Sequence, residues 1–438
     1  MEIQRARDDI AAIFAAVLDR IEPARLIRDA VRLADGALII DGVRHRIGPS
    51  TRLVAIGFGK ASLGMARGIE DAIGDRIDRG VVVTKHGAPA PDRPFARIQV
   101  VEASHPVPDE TSLGAARLLR DAVAGLSADD LVLVLISGGG SALLEMPVDG
   151  ISLADLAGTT DLLLRAGADI RTLNLVRARL SQVKGGGLSR AAHPARIANL
   201  IISDVLGNPV EVIAGGPTVE PAGDQSSPEP LIRRLGIWDE LPASVRLALR
   251  VPVPNHRPVD AHVPRTTILA DVRLVAEAAA EAARDIGYAP AILGTRFEGE
   301  AREFGRFWAA MARHARLSQG PFPPPACLIG TGELTVTVRG NGTGGRNTEM
   351  ALAAALAIAD VPGIAIASLA TDGDDAVTGA AGGVVIGSSV DLAHRTGLDP
   401  AGLLRDNDSL RFLDAASGLI VTGPTGTNVN DLYLALIP

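Results

Sequence analysis

The chain has few of the residues from which disulfide-rich and metal-rich proteins are built. Cys327 is the only cysteine among 438 residues, which excludes an intrachain disulfide and any cysteine-cluster metal site. Such sparse cysteine usage is typical of a reducing compartment. Aromatic residues make up only 3% of the chain, so its cores must be packed mainly with Ala, Val, Leu and Ile.

Long apolar runs and a basic charge balance are also missing. The most membrane-like stretch, 351–370, is interrupted by Asp360 and Pro362, and the two pieces are too short to span a bilayer. Charges scattered through the N-terminal helical pattern exclude a secretory signal. The formal net charge of −8 argues against a nucleic-acid partner. We therefore expect a soluble, cytoplasmic protein that binds neither membranes nor nucleic acid; the oligomeric state stays open, a homodimer included.

Lysine is rare as well. Only three of the 43 Lys and Arg residues are lysines, and each lies in or beside a turn: Lys60, Lys85 and Lys184. They are candidates for positions where a compact ammonium cannot be replaced by a planar guanidinium. A lysine on a loop is often simply solvated. For Lys60 and Lys184, which lie among glycines, we favour a functional role.

Strands and helices alternate along the first half of the chain. Continuous apolar segments predict strands at 53–57, 80–84, 98–102, 131–136 and 196–203. Amphipathic patterns between them predict helices at 61–73, 110–124, 153–165 and 172–182. This alternation indicates an α/β fold with a Rossmann-like, doubly wound parallel sheet. Ligands of such folds bind at the carboxyl ends of the strands.

A change of composition divides the chain. Proline-rich and polar segments between 217 and 264 predict a connection at 236–264, which separates an N-terminal domain at 1–235 from a smaller α/β domain at 265–438. In the second domain we expect strands at 267–270, 289–293, 326–329, 334–338, 364–369, 419–422 and 432–436. Helices are expected after the first of these strands up to Ile286, at 300–316, from Asn347 onward and at 403–416.

Glycine-rich loops follow several of the predicted strands. The first runs through Ser137, Gly138, Gly139, Gly140 and Ser141, and its backbone N–H groups could bind a phosphate or carboxylate. The alternative is a tight turn that needs positive φ, although three consecutive glycines exceed what one turn requires.

A second candidate for anion recognition follows the predicted helix 172–182. Asn174, Arg177, Ser181 and Lys184 recur every three or four residues, so a continuous helix would carry them on one face. That face leads to the glycines Gly185 and Gly186. It could equally be a solvated face.

Single charged residues at other strand ends complete the candidates. Asp204 could hold Mg²⁺ or accept a hydroxyl proton, and Asp372 could hold Mg²⁺, although an aspartate at a turn is commonly structural. The segment GNGTGGRNTE delivers Arg346 from a glycine loop, where a guanidinium could neutralise phosphate charge. Asn347 and Glu349 open the helix that follows.

Taken in order, these motifs resemble the type II glycerate 2-kinase family, whose carboxyl half is the MOFRL domain. The resemblance is carried by GFGKAS, HPVPD, LISGGGSALL, LNLVRARLSQVKGGGL, ISDVLGN, GELTVTVRGNGTGGRNTE and TGPTGTNVNDLYLALI, which cover nearly the whole chain.

The resemblance implies an ATP- and Mg²⁺-dependent kinase that phosphorylates D-glycerate at the 2-hydroxyl in a cleft between two domains. It implies catalytic roles for Lys60 and Arg346. With the candidates above it gives catalytic Asp204, phosphate binding by 137–141 and 184–186, substrate binding by Asn174, Arg177, Asn347 and Glu349, and metal binding by Asp204 and Asp372.

The chain departs from the family pattern at 376–377, Gly379, Asn208 and in AGGPT at 214–218, which leaves a related hydroxy or sugar acid open as acceptor. Two other functions stay open. One is an NAD(P)H-dependent hydroxypyruvate reductase, for which His86 and His105 would be candidate proton donors, although no dinucleotide fingerprint follows the first strand. The other is a non-catalytic protein that binds a metabolite.

Overall fold

A computed structural model describes residues 3–220, 227–251, 264–318, 320–376 and 378–438. The chain forms two compact units. The first comprises Pro23–Leu269, and the second combines Met1–Glu22 with Ala270–Pro438. These bounds differ from the expected domain limits, because the N-terminal helix belongs with the C-terminal residues. The expected connection at 236–264 is helical up to Arg250, and its residues 252–263 lie outside the described ranges.

The helices alternate with strands as the sequence predicts. The α-helices in chain order are α1 Ile3–Arg20, α2 Pro23–Ala30, α3 Ser62–Ile73, α4 Glu110–Val123, α5 Gly140–Leu143, α6 Leu153–Arg165, α7 Ile170–Leu180, α8 Gly187–Ala192, α9 Glu229–Arg234, α10 Ala243–Arg250, α11 Val272–Asp285, α12 Ala301–Ser318, α13 Arg346–Ala357, α14 Ser389–Arg395, α15 Pro400–Arg405 and α16 Ser409–Ala415. Short 3-10 helices occur at Gly74–Arg76, Ile213–Gly215 and Trp238–Glu240.

The strands form three sheets. In chain order they are β1 Val31–Ala34, β2 Ala37–Ile40, β3 Val43–Arg46, β4 Leu53–Phe58, β5 Arg79–Lys85, β6 Ile98–Ala103, β7 Leu131–Ser137, β8 Arg196–Ile202, β9 Arg265–Ala270, β10 Ala289–Glu300, β11 Ala326–Thr335, β12 Ala365–Ala370, β13 Gly382–Ile386, β14 Leu419–Ile420 and β15 Asp431–Ile437.

The main sheet of the first unit confirms the predicted parallel sheet. Its strand order is β6-β5-β4-β7-β8-β9, and β4 pairs in parallel with both β5 and β7. Every residue of β4 and β7 is buried, as expected for central strands covered on both faces. The chain leaves β4 towards β5 and β6 and returns to β7 on the other side, so the topological switch point lies between β4 and β7.

Two features of the first unit differ from the expectation. The strand expected at the start of the second domain is β9, and it lies beside β8 at the edge of the parallel sheet. The small antiparallel sheet β1-β2-β3 was not predicted. Its strands have four residues each, too few for a periodic signal.

The second unit contains a mixed sheet with the order β10-β11-β15-β12-β13-β14. Only β10 and β11 pair in parallel; β11, β15, β12, β13 and β14 pair antiparallel in turn. The two strands predicted at 326–329 and 334–338 are the single strand β11, which continues through Gly330 and Gly332. Strand β13 was missed, because its Gly382–Gly383 start resembles a turn. The scarce aromatic residues are concentrated here, where Phe297, Phe304, Trp308 and Tyr433 stack in one cluster.

The only cysteine belongs to this core. Cys327 lies on β11 and is fully buried, and burial raises the pKa of its thiol to about 12. Cys327 is therefore a structural residue of the core and does not act as a nucleophile. In the part of the chain that the structure describes, no helix is both long and apolar enough to cross a bilayer.

Candidate active site

The carboxyl ends of the parallel strands bring several predicted residues to one edge of the first unit. Lys60 follows β4, the Gly138–Gly140 loop follows β7, and Asp204 follows β8. Because these three strands are adjacent and parallel, their ends lie side by side. Lys60 and the glycine loop thus flank the switch point, the usual ligand position in a doubly wound sheet.

The turn that carries Lys60 is fastened to the glycine loop. The Lys60 N–H donates to the Gly138 carbonyl at 2.8 Å, and the Ala61 N–H donates to Ser137 Oγ at 2.9 Å. Gly59 has a φ of +121°, and a Cβ there would lie 2.3 Å from Ser137 Oγ. Only glycine permits this approach. Ser137 is fully buried, so the structure gives it a positioning role where the sequence predicted phosphate contact.

The amides of the glycine loop are suited to an anion. Among the described residues, the N–H groups of Gly138 and Gly139 have no hydrogen-bond acceptor. Gly139 adopts a left-handed φ of +81° and is followed by the short helix α5, which Gly140 and Ser141 open. Gly140 packs closely, since a Cβ there would lie 2.8 Å from Phe58 Cδ2. The loop therefore packs closely at Gly140 and presents N–H donors at Gly138 and Gly139.

His105 was not among the predicted kinase residues, yet the structure brings it to the same place. A Cβ on Gly139 would lie 3.0 Å from His105 Nε2 and 3.5 Å from Lys60 Cγ. Burial, followed by the positive charges of Lys60 and Lys85, lowers the pKa of His105 below its ordinary value. The HPVPD motif was the available signal, but one sequence does not say that this loop reaches the switch point.

Lys184 does not have the environment that the sequence predicted. Helix α7 ends at Leu180, so Lys184 lies beyond the helical face that was expected to carry it. Its ammonium is buried and forms an ion pair with Glu145, which is buried as well. Burial lowers the pKa of Lys184, and Glu145 acts in the opposite direction. As placed, the ammonium neutralises a buried protein carboxylate and is not exposed at the surface.

The two glycines after Lys184 are also engaged. The N–H of Gly185 donates to the Gly215 carbonyl at 3.0 Å, and that of Gly186 donates to the Gly216 carbonyl at 2.8 Å. Both amides are thus saturated by the loop around the 3-10 helix Ile213–Gly215. The predicted phosphate contacts at 184–186 are accordingly replaced by structural contacts.

Helix α7 carries buried polar atoms that lack hydrogen-bond partners, on Asn174 and Arg177 among others. Asn174 Nδ2 and Arg177 Nε are buried and have no hydrogen-bond partner among the described residues. Arg177 also forms no ion pair within the described ranges, and its positive charge acts on Lys184. Unsatisfied buried donors are rare in folded proteins and call for an explanation such as a bound water, an ion or a catalytic role. These atoms keep Asn174 and Arg177 as candidates for substrate binding.

In the second unit, Arg346 opens α13 and is held by two carboxylates. Its Nε donates to Asp431 Oδ2 at 2.6 Å, its Nη2 to Asp431 Oδ1 at 3.2 Å, and its Nη1 to Glu333 Oε1 at 2.8 Å. Burial opposes the charge, but Asp431 and Glu333 together raise the pKa of Arg346. The guanidinium, about one third exposed, is thus permanently charged and fixed in orientation.

The residues that follow Arg346 are structural. Asn347 is fully buried, donates to Asp375 and Asp431, and accepts from Ser368. Asp375 in turn accepts from the N–H groups at the start of α13. These contacts leave Asn347 no free group for a substrate, contrary to the sequence-based assignment.

Glu349 is likewise occupied. It is 1% exposed and accepts from Arg302 Nε at 2.9 Å and from Asn407 Nδ2 at 2.7 Å. Its predicted substrate role is therefore replaced by a role in packing the second unit.

No preformed metal centre appears in the described ranges, where no group of three or more His, Cys, Asp or Glu side chains could hold a metal ion. The carboxylate of Asp372 accepts from the Asp374 N–H at 3.2 Å. Mg²⁺ in phosphoryl-transfer enzymes is commonly held by one or two carboxylates together with substrate phosphates. A single aspartate at the sheet edge, such as Asp204, fits that pattern. Val377, one of the departures from the family pattern, lies outside the described residues.

Comparison with known proteins extends these observations. Residues 9–250 match a family described as "Domain of unknown function (DUF4147)", and residues 326–431 match the MOFRL family. The D-glycerate 2-kinase of Thermotoga maritima is 40% identical over 88% of this chain and 91% of its own length. The chain belongs to the glycerate kinase family.

The predicted family is thereby confirmed, and the protein is a kinase by descent. A crystal structure of Thermotoga maritima glycerate kinase, 35% identical, superposes with a TM-score of 0.88 over 99% of this chain and 100% of that one. An Agrobacterium vitis member of the family, 42% identical over 94% of this chain and 93% of its own length, carries the provisional name of a hydroxypyruvate reductase. Names within the family thus differ in the reaction that they give, and the reductase name is a provisional one.

Proposed function

We propose that the protein is an ATP-dependent D-glycerate 2-kinase that requires a divalent cation such as Mg²⁺. The observation that carries the proposal is the meeting of Lys60 and the open Gly138–Gly139 amides at the switch point of the parallel sheet. Phosphoryl transfer depends chiefly on positioning and on neutralising phosphate charge, and this edge offers both.

The residues present fit the two proposed substrates. Lys60 and the amides of Gly138 and Gly139 would bind phosphate oxygens of the nucleotide, and Asp204 would hold the divalent cation together with them. The unpartnered donors of Asn174 and Arg177 suit the carboxylate of glycerate, because a guanidinium binds a carboxylate in a planar, two-point arrangement. ATP supplies the phosphoryl group, and the chain supplies orientation and charge.

Arg346 is proposed as a second cation for the developing phosphate charge. Its fork is preorganised by Asp431 and Glu333, so it would not reorganise during the reaction. The Arg346 side chain is about one third exposed and would contact one further oxygen.

The test is a substrate and product assay with the purified full-length protein. ADP formation is followed with ATP, Mg²⁺ and D-glycerate, and the product is presented to enolase without phosphoglycerate mutase. Enolase turnover identifies 2-phosphoglycerate, whereas a requirement for mutase identifies the 3-phosphate. A parallel screen of small hydroxy acids tests the acceptor. If none of these acceptors supports ATP consumption, the proposal is contradicted.

The reductase hypothesis is tested beside it, because a relative carries that name. Its structural requirement is a dinucleotide loop in the first βα turn. Here Ser62 stands where the third glycine of such a loop would be, and its hydroxyl donates to the Val83 carbonyl. We expect no oxidation of NADH or NADPH with hydroxypyruvate, and a rate comparable to the kinase rate would reverse the assignment.

Variants of the two cations test their roles. Lys60→Ala is expected to lower kcat by at least about 10²-fold with unchanged circular dichroism, because a charge aimed at the transferring group is lost. Arg346→Ala would also leave buried Asp431 unpaired, so the cleaner variant is Arg346→Lys, which keeps the charge and loses the fork. Arg117→Ala and Arg284→Ala, which remove exposed arginines from α4 and α11, are the controls. Near-normal turnover by Lys60→Ala would contradict its role.

A further inference from the structure

His105 occupies a position that its place in the sequence does not suggest. The residue follows β6, the outermost strand of the parallel sheet on that side, and precedes α4. Its ring nevertheless lies beside Gly139 and Lys60, on the far side of the end of β5. The loop between β6 and α4 therefore carries an imidazole to the switch point, where the proposed kinase reaction takes place.

The ring is free to act on a ligand. His105 is half-buried, and neither ring nitrogen has a hydrogen-bond partner within the ranges that the structure describes. His86 offers a contrast at the neighbouring strand end, where its ring is exposed and contacts Glu102 Oε2 and Thr111 Oγ1, both at 3.3 Å. Of the two histidines, only His105 combines a position beside Lys60 with an unengaged ring.

The charges around His105 favour its neutral form. Lys60 faces it from the turn after β4, and Lys85 faces it from the end of β5. The acidic groups nearest in sequence are engaged elsewhere, since Asp109 accepts from N–H groups at the start of α4 and Glu102 contacts His86. Asp204 follows β8, two strands along the sheet from β4. Burial, together with the positive charges of Lys60 and Lys85, lowers the pKa of His105 and so favours the neutral imidazole, which can accept a proton.

We infer that His105 is the general base of the phosphoryl transfer, accepting the proton of the acceptor hydroxyl at Nε2. The hydroxyl oxygen uses a lone pair to form a bond to the γ-phosphorus. The bond between that phosphorus and its bridging oxygen breaks, and the electron pair leaves with ADP. The inference rests on the proposed kinase function. It assigns to His105 the proton transfer that the sequence had placed on Asp204, and it leaves Asp204 to the metal.

Gly139 keeps the space beside the imidazole open. Its φ of +81° favours glycine by itself, and a Cβ there would lie 3.0 Å from Nε2, in the space that the inference gives to the acceptor hydroxyl. Gly139 thus leaves room for the hydroxyl between the imidazole and the amides that bind the phosphate.

The experiment is a pH profile of kcat/KM for glycerate, measured with saturating ATP and Mg²⁺ from pH 5 to 9. The wild type is compared with His105→Gln, Asp204→Asn and the control His86→Gln. Wild-type kcat/KM is expected to fall on acidification with a midpoint below 6.5, because the base is then protonated. His105→Gln is expected to lose about 10²–10⁴-fold in kcat, to keep its KM for glycerate within about threefold, and to lose the acid limb. His86→Gln should behave like the wild type.

Several outcomes would overturn the inference. One is a His105→Gln variant that keeps more than a tenth of the wild-type kcat, and another is an acid limb that survives this substitution. Loss of the limb in Asp204→Asn alone would assign the base to Asp204. If His105→Gln does not fold, the wild-type profile still decides, since a limb absent below 6.5 contradicts the proposal. A wild type that phosphorylates no hydroxy acid refutes the kinase function itself, which is a distinguishable result.

Discussion

The buried pair Lys184–Glu145 provides the sharpest test of how the glycine-rich segment 181–187 works. The sequence predicts a phosphate-binding lysine, whereas the structure shows an ammonium enclosed with a carboxylate. The informative substitution is Lys184→Met, which keeps an apolar stem of similar length and removes only the charge. Glu145 then remains buried, with Ser181 Oγ donating to it at 2.7 Å as its main remaining partner.

The expected cost follows from burial. Lys184 is 1% exposed and Glu145 is 0% exposed, so water cannot replace the lost ammonium. Removing one partner of such a pair costs about 3–5 kcal/mol, because an uncompensated charge stays in the interior. For a unit of this size, each kcal/mol corresponds to roughly 2–4 °C in Tm, so a decrease of about 6–20 °C is expected.

A double variant measures the interaction between the two charges separately from their interactions with the surrounding residues. Lys184→Met combined with Glu145→Gln removes both charges, and the glutamine can still accept from Ser181. We expect the double variant to unfold at a higher temperature than Lys184→Met alone, with a coupling energy of about 1–3 kcal/mol. Calorimetry gives the Tm values, and steady-state kinetics on the double variant gives the KM for ATP. A Lys184→Met protein with unchanged Tm and a KM for ATP raised tenfold would refute the structural role and restore the phosphate-binding one.

Two further predictions concern other residues of the first unit. Arg177→Leu is expected to raise the KM for glycerate by about 10–100-fold with little change in KM for ATP, because a charge-assisted pair to the substrate carboxylate is lost; an unchanged KM in the steady-state assay would show that Arg177 does not contact the acceptor. Asp130 is buried, and although burial acts in the opposite direction, hydrogen bonds from Arg52 and Ser127 lower its pKa well below the ordinary range. The stabilisation of the folded state by the Asp130 carboxylate is therefore present above about pH 4 and is lost as pH falls through the lowered pKa. In denaturant titrations, Asp130→Asn should lower the free energy of unfolding by at least about 2 kcal/mol at pH 7 and by progressively less below pH 4. A difference that is the same at pH 3 and pH 7 would contradict this assignment.

The fold could be predicted wherever one signal is continuous over several residues. Strands β4 and β7 are uninterrupted apolar segments, and their parallel pairing follows from the helices between them. Strand β13 and the sheet β1-β2-β3 were not predicted, because short or glycine-containing strands show no periodic pattern of apolar residues. The position of β9 in the first sheet was not predicted for a different reason. Its partner β8 is distant in sequence, and pairing across such a gap is a tertiary choice that local patterns do not encode.

Candidate site residues could be predicted where a suitable residue type directly follows a central strand. They could not be predicted where contacts with other side chains determine whether a polar group is free. Lys60 and Gly139 follow central strands, so the rule for parallel sheets alone placed them at the ligand edge. Asn347 and Glu349 show the opposite case. Their polar groups are consumed by Asp375 and Arg302, whose positions only the folded chain reveals. A polar residue beside a candidate catalytic arginine can thus belong to the support of the arginine and not to the site.

The rarity of lysine identified special positions correctly without identifying their roles. Lys60 lies at the switch point, and Lys85 acts on the imidazole beside it. At position 184 the lysine stem packs against the Gly215 backbone, where even a Cβ would come within 2.9 Å of Lys184 Cδ, and the ammonium pairs with buried Glu145. The same rare residue type thus occurs at the edge of the parallel sheet and in a buried ion pair, and only the contacts of each ammonium distinguish the two positions.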